Sequence, residues 1–359
     1  MSPPIAVAFV LPSFAGGGAQ KVLLTFASQL DRTAFTPVVI VLKAAGPWLS
    51  LVPPDMRVIS LDRPRLRQAM PALIRILRAE RPAIVVSTIG YMNLGVLLVK
   101  PFLLNKPRII VREANTPRRH ARNALGQFFY RLAYWLLYRC ADRIVCPASY
   151  IGAELTKEYG VTEKQIVVLP NPVDENALRG SAAVVRRAPG QGRRFVSVGR
   201  LTEQKGYDRL LEDFAKLPPD SQLTIFGEGE LQAALEAQIE RLNLKGRVAL
   251  AGFEPLPAPW LAGADALLLP SRWEGLPNVA LEALSCGTPV IAAPEAGGID
   301  EIAAQAPRGT VTLAAPGPAF TTEMLGVTPR AEKILRPSLL PDTYRMQRAC
   351  AQFATILAA

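Results

Sequence analysis

The sequence predicts an α/β protein made of two Rossmann-like, doubly wound domains, and three observations lead there. Apolar runs of about four to seven residues, rich in β-branched side chains, alternate with longer helical patterns. That rhythm belongs to buried parallel strands joined by crossover helices. The chain has 359 residues, more than one hydrophobic core usually serves. The rhythm also pauses at one place, "PNPVDENALRGSAAVVRRAPGQGRR" (170–194), a Pro-, Gly- and Arg-rich stretch without a period that reads as a linker.

Taken in order, the first half offers "IAVAFVL", "PVVIVL", "RVISL", "AIVVS", "RIIV", "RIVC" and "IVVLP" as strands. The second half offers "RFVSVG", "QLTIFG", "RVALAG", "DALLLP", "PVIAA" and "TVTLA". The expected domains are 1–171 and 172–341, with a C-terminal helix at about 342–359 packing back on the first. In doubly wound sheets ligands bind at the carboxyl ends of the strands, so with two such units the expected site is the cleft between them.

Composition narrows the class. No run of about 20 uninterrupted apolar residues occurs, so no spanning helix is expected. The N-terminal "MSPPIAVAFVLPSF" lacks a basic region and a small-residue cleavage site, and reads as a first strand rather than a signal peptide. Cys140, Cys146, Cys286 and Cys350 show no metal-ligand spacing and suit a reducing cytoplasm. The net charge of +11 is uneven: residues 1–171 hold 22 Lys+Arg against 9 Asp+Glu, and the remainder 19 against 21. A basic half beside a near-neutral one points to an anionic surface, either membrane lipid or nucleic acid, with a merely solvated basic face as the plain alternative.

The residues that follow the strands carry the chemistry. After the first strand, Gly16, Gly17 and Gly18 would let backbone N–H groups and a helix N-terminus approach an anion, or would simply make a tight turn. The spacing G-x-G-x-x-G is absent, which disfavours a nicotinamide cofactor. After "RFVSVG" come Arg200 and Lys205, a guanidinium and an ammonium suited to a diphosphate, though as a pair alone they could be solvated. After "DALLLP" comes "SRWEGLPNVALEALSCG". Pro277 suits a helix first turn, so a helix over about 277–286 is expected, ended by Gly287. It would aim the N–H groups of Leu276, Asn278 and Val279 at the cleft. Glu274 precedes it, and Glu282 lies about 12 Å further along on a largely apolar helix, where an unpaired acid would be costly. Two acids flanking a helix N-terminus can hold hydroxyls, phosphates and hydroxyls in turn, the layout of a sugar nucleotide.

On these residues the chain resembles the retaining GT-B glycosyltransferases of the GT4 class. Glu274…Glu282 matches their E-x7-E motif; "VGRLTEQKG" resembles their phosphate segment, "LPNPVD" their interdomain link and "FAGGGAQKVL" their N-terminal glycine segment. The resemblance implies a GT-B fold, two Rossmann-like domains facing a central cleft. The first would be the acceptor side and the second the nucleotide-sugar donor domain. Glu282 would hold the ribose hydroxyls. Glu274, with the backbone of Gly275 and Leu276, would contact the transferred sugar. Arg200 and Lys205, with the amides near Gly17, would neutralise the leaving diphosphate. Gln20 departs from the pattern, standing where the class often has Glu.

The implied reaction moves a sugar from a UDP- or GDP-sugar to a hydroxyl with retention of configuration. The nucleotide sugar is a co-substrate and no cofactor is expected. The sequence holds no Asp-x-Asp, so no metal is expected either, the protein cations taking its place. Glu113, which ends the strand "RIIV" beside Arg112, is the expected acceptor-side polar residue; His120, the only histidine, is an acceptor base, a sugar contact or merely solvated.

Residues 100–143 hold ten Lys+Arg and two Asp+Glu, and "ALGQFFYRLAYWLLYR" within them is an apolar, aromatic helix. Gln127, Arg131 and Arg139 mark a narrow polar stripe. Such a helix either enters the interface of an anionic membrane or packs in the core. No nucleic-acid-binding motif accompanies it, and nucleic acid is not an expected partner. The leading expectation is a cytoplasmic enzyme, peripheral at the inner membrane face, that extends a lipid-linked or membrane glycan in polysaccharide or glycolipid synthesis. A soluble transferase with a small acceptor and a silent nucleotide-sugar-binding scaffold are the competing readings.

Overall fold

The computed structural model describes residues 3–15, 17–117, 124–187, 192–330 and 334–359. Gly16, Arg118, Arg119, His120 and Arg122 lie outside the described residues. The chain divides into two compact units, 1–172 with 347–359, and 173–346.

The first unit runs β1 (Ile5–Ser13), α1 (Gly18–Ser28), β2 (Phe35–Lys43), β3 (Arg57–Ser60), α2 (Leu66–Glu80), β4 (Ile84–Thr88), α3 (Gly90–Val99), β5 (Arg108–Arg112), α4 (Ala124–Leu137), β6 (Arg143–Cys146), α5 (Ser149–Tyr159) and β7 (Ile166–Val168). Among the described residues these strands form one parallel sheet in the order β3-β2-β1-β4-β5-β6-β7. Strand order reverses between β1 and β4. Covered on both faces, the central strand reads as an unbroken apolar run: Val7 through Leu11 are wholly buried.

The second unit runs α6 (Glu175–Ser181), β8 (Arg194–Val198), α7 (Tyr207–Phe214), β9 (Gln222–Phe226), α8 (Gln232–Arg241), β10 (Val248–Leu250), α9 (Ala258–Gly263), β11 (Ala266–Leu269), α10 (Asn278–Ser285), β12 (Val290–Ala292), α11 (Ile299–Gln305), β13 (Val311–Leu313) and α12 (Pro318–Gly326). Its parallel sheet has the order β10-β9-β8-β11-β12-β13, with the reversal between β8 and β11. Both units are doubly wound α/β sheets.

The last helix, α13 (Met346–Ala358), returns to the first unit. Phe353 stacks on Phe26 with ring centroids 4.6 Å apart and also meets Phe9 at 6.2 Å. Removing a ring packed in this way costs about 3–5 kcal/mol. Arg108, at the start of β5, donates to the carbonyls of Leu357 and Ile356 at 2.9 and 3.3 Å and so satisfies the exposed end of α13.

Two local expectations are corrected. The stretch 170–194 is not simply a linker. Asp174 caps α6 by accepting from the Ala177 N–H at 3.0 Å, and α6 packs on α9 and α10 inside the second unit. Helix α10 begins at Asn278, not Pro277, because Pro277 has ψ 92° and serves as the extended cap.

Candidate active site

In the second unit the candidate residues gather at the carboxyl ends of β8 and β11, where strand order reverses. The loop after β8 folds into a short turn, Glu203–Lys205, closed by Gly206 at φ +68°. A Cβ on Gly206 would lie 2.2 Å from the Pro270 carbonyl oxygen, so only glycine lets this turn lie against the end of β11. That approach brings Lys205 to Glu274: its Nζ is 2.6 Å from Oε1. The same oxygen accepts from Ser271 Oγ at 2.7 Å. Gln204 Nε2 donates to the Trp273 carbonyl at 2.9 Å and reaches Glu274 Oε2 at 3.3 Å. The lysine and glutamate side chains are 15% and 9% exposed, so this ion pair is largely withdrawn from water.

Arg200 stands apart from that cluster. It is exposed, and among the described residues its guanidinium makes no hydrogen bond or ion pair. Of the two cations read from the sequence, one faces solvent and the other is engaged by the very carboxylate expected to meet the sugar. Around them, Arg272 is bidentate to Asp208 at 2.8 and 2.6 Å, and Arg209 donates to the Pro270 carbonyl at 2.8 Å, which fixes the loop from both sides. Gly275, Leu276 and Pro277 are buried, and the Gly275 carbonyl accepts from the Gly298 N–H at 2.9 Å. Asn278 and Glu282 are half-buried on α10.

In the first unit the glycine loop follows β1. Gly17 caps α1 at φ −82°, a conformation open to any residue, and a Cβ there would meet nothing within 4 Å. The fold itself therefore does not demand glycine at this position. Gln20, buried on α1, donates Nε2–H to the Ala15 carbonyl at 2.9 Å. A glutamate could not donate that bond, which gives the departure from Glu a structural reason.

Glu113 requires a correction. It is not an open polar group at the strand end but is 2% exposed. Its carboxylate accepts from the hydroxyls of Tyr134 (3.0 Å) and Tyr138. Asn93 donates to the Tyr138 hydroxyl and the Arg112 carbonyl, both at 3.0 Å. Burial pushes the Glu113 carboxyl up to about 7, against the opposing hydrogen bonds of Tyr138, Tyr134 and Asn93 and the charge of Arg112. Arg112, wholly buried, donates to Asn171, and burial brings it down to about 10. The tyrosines stack, Tyr134 on Tyr138 at 4.2 Å, and the hydroxyls of Tyr134 and Tyr130 fit only because residue 90 is glycine: a Cβ there would lie 2.0 Å from the Tyr134 oxygen and 2.4 Å from that of Tyr130.

Helix α4 thus divides by face. Tyr134 and, just beyond its end, Tyr138 are buried, while Phe128, Phe129, Leu132, Trp135 and Leu136 are 38–61% exposed. The narrow polar stripe read from the sequence is not the dividing line. Sequence reasoning passed over Ser271, Gln204, Asn93 and the tyrosine stack. A signal for the last was there: Tyr130, Tyr134 and Tyr138 recur every four residues, which puts them on one helix face.

Two family models match the chain: Glycosyltransferase Family 4 over residues 16–177 and Glycosyl transferases group 1 over 183–315. The chain belongs to the GT4 class of glycosyltransferases. It is 30% identical over 199 residues to the Campylobacter jejuni N-acetylgalactosamine-N,N'-diacetylbacillosaminyl-diphospho-undecaprenol 4-alpha-N-acetylgalactosaminyltransferase, covering 55% of this chain and 54% of that protein. It is 34% identical over 171 residues to the lipopolysaccharide core biosynthesis glycosyltransferase LpsE of Rhizobium meliloti, covering 46% and 47%. The chain spans about half the length of the curated relatives it matches. The structure of Anabaena HepE in complex with UDP-glucose aligns over 99% of both chains with a TM-score of 0.79 at 18% identity, and shares the GT-B fold.

Proposed function

We propose that the protein moves a sugar from a UDP- or GDP-sugar to a hydroxyl of a lipid-linked or membrane glycan, with retention and without a metal. The observation that carries this reading is the arrangement of Arg200, Lys205 and Glu274 at the reversal point of the second sheet, where such folds bind ligands. An ammonium has three donors, so Lys205 can hold Glu274 and still reach a phosphate oxygen. Arg200 supplies a second cation from solvent. In the proposed step the acceptor oxygen bonds to the anomeric carbon on the face from which the diphosphate leaves. The bond from that carbon to the phosphate oxygen breaks, and the acceptor proton passes to the leaving phosphate. Developing charge on the diphosphate is met by Arg200, Lys205 and backbone N–H groups, each donor contributing about 3–4 kcal/mol to the barrier. Glu274 orients the transferred sugar and Glu282 the ribose. Metal independence rests on these cations and on the lack of Asp-x-Asp in the sequence.

The lipid-linked acceptor is supported by the diphospho-undecaprenol and lipopolysaccharide relatives. A peripheral position at the inner membrane face is supported by the aromatic outer face of α4. No helix among the described residues is long and apolar enough to cross a membrane. The test is a panel of UDP- and GDP-sugars given to purified protein with and without a diphospho-undecaprenol-linked sugar. Nucleoside diphosphate release and a sugar-extended lipid are expected for one donor. Tight donor binding without release or transfer would favour a silent scaffold, and transfer to small acceptors alone would favour a soluble enzyme.

A further inference from the structure

We propose that the second unit carries a further ligand site at the amino ends of its strands, an arginine-lined cavity that takes a small phosphate ester. It lies at the other end of β11 from Lys205 and Glu274, and it does not rest on the sugar-transfer reading.

The cavity measures about 370 Å³. Its walls include Asp265 just before β11, Thr312 on β13, Glu323 on α12, and Thr328, Arg330 and Arg336 beyond α12. A volume of this size suits a small metabolite and exceeds what one water molecule fills.

Charge at this place does not balance. Asp265 accepts from Arg187 Nη2 at 3.1 Å and from the Arg330 backbone N–H at 3.0 Å. The side chains of that ion pair are 3% and 0% exposed, so its carboxylate is already engaged out of water. The guanidiniums of Arg330 and Arg336, both on half-buried residues, make no ion pair among the described residues. Arg330 donates to the carbonyls of Ala262 at 3.4 Å and Ile334 at 3.1 Å. Arg336 donates to the Ala264 carbonyl at 2.9 Å and to the Thr288 hydroxyl, while its Nε is buried without an acceptor. The carbonyls at the end of α9 supply about half a negative charge. Three guanidiniums therefore face one carboxylate and that partial charge. Burial and the charge of Arg330 bring the Arg336 guanidinium down to about 10. Cations withdrawn from water and short of negative charge are costly unless a further anion meets them.

The cations are also held in place. Gly287 has φ +73°, and a Cβ there would run into the Cβ of Arg336. Arg179 donates to the Arg336 carbonyl at 3.0 Å, and the Leu339 N–H donates to the Leu284 carbonyl at 2.8 Å. A guanidinium fixed in this way matches phosphate oxygens with little further ordering. The rest of the wall is of another kind, with the hydroxyl-bearing Thr312 and Thr328 and the exposed Glu323. A bare anion is repelled by that carboxylate, whereas the hydroxyls of a phosphate ester can donate to it. Ala331, Glu332 and Lys333 lie outside the described residues and form no part of the site.

The test is calorimetric titration of the purified protein with inorganic phosphate and with glycerol 3-phosphate, at constant ionic strength. The ester should bind more tightly than the ion. Arg336→Gln should weaken both by about tenfold or more, the loss of one charge-assisted contact, and Arg336→Lys should restore part of it. Glu323→Gln should weaken the ester and not the ion. Arg200→Ala, changed at the opposite end of the sheet, should bind both as the native protein does. Should Arg336→Gln fail to fold by circular dichroism, Thr312→Glu carries the test: an acid set in the cavity should raise Tm without ligand and abolish ester binding. Loss of binding in Arg200→Ala, with Arg336→Gln near native, assigns the phosphate to the candidate active site and overturns this one. Binding that appears only in Glu332→Gln shows that an acid of the chain already supplies the missing charge, and overturns it too. No ester binding by the native protein overturns the site and leaves the sugar-transfer reading standing.

Discussion

Replacing Glu113 by glutamine should erase a pH dependence of stability that the native chain carries between pH 4.5 and about 7. Burial raises this carboxyl from its ordinary 4.5 to about 7 in the folded protein. In the unfolded chain it titrates at its ordinary value. Between those limits the folded state therefore binds more protons than the unfolded one, and stability falls as pH rises. Below the window both states are protonated and above it both are ionised, so the slope is confined to it. At 1.36 kcal/mol per pH unit, the interval amounts to about 3 kcal/mol of stability, fully present below pH 4.5 and absent above 7. Glutamine is neutral throughout. Its oxygen, in the place of Oε2, keeps both tyrosine hydroxyls, but its NH2 is buried where Oε1 stood, a cost of about 1–2 kcal/mol. Glu113→Gln should thus be the less stable protein near pH 5 by about 0.5 kcal/mol and the more stable one near pH 8 by about 2 kcal/mol. Hydrogen exchange of the β5 amides, corrected for intrinsic rates and measured from pH 5 to 8, reads this in the unit concerned. Parallel protection curves for the native and variant proteins would refute the reasoning, since they would place the carboxyl's titration outside the window.

Four further outcomes follow from the site. Glu282→Ala should weaken donor binding by about 1–3 kcal/mol in calorimetry, and unchanged binding in a folded variant removes the ribose role. Arg200→Ala should lower kcat while leaving thermal stability within about 0.5 kcal/mol, because the side chain is exposed. Lys205→Ala should lower both, losing on the order of 3 kcal/mol of stability by stranding Glu274. Activity abolished by a chelator, with both variants near native, would assign the diphosphate to a metal. Gln20→Glu should destabilise the glycine loop by about 1–3 kcal/mol, seen as a lower Tm, because it sets a carboxylate against the Ala15 carbonyl; a neutral effect would show that the Gln20 bond does not hold the loop.

The central strands of both units were legible because parallel strands buried on both faces must be apolar throughout: "RIIV" becomes β5, buried from Ile109 to Arg112, for that reason. "TVTLA" becomes β13 at the edge of the second sheet, where Val311 and Thr312 are half-buried and Leu313 is exposed, and its β-branched residues were the signal instead. Strand ends were legible with them, and so were the loops that carry Gly17, Arg200, Lys205, Glu274 and Glu282, since chemistry in such sheets sits just past the carboxyl ends. Helix α6 was missed because its seven residues bury no stripe wide enough to show a period; its start depends on the Asp174 cap.

What the linear chain could determine was therefore the order of elements and the chemical type of each strand-end residue. Tertiary structure decided which of those residues meet. Lys205 and Glu274 are 69 residues apart, and their contact exists because β8 and β11 are neighbours and Gly206 admits the approach. Glu113 looks from the sequence like one more strand-end acid, but the packing of α3 and α4 closes Asn93 and two tyrosines over it. The same packing decides which rings of α4 go inward, because a helix apolar around most of its circumference carries no instruction about its buried side until a partner face, here the buried Glu113 carboxylate and the space left at Gly90, selects one.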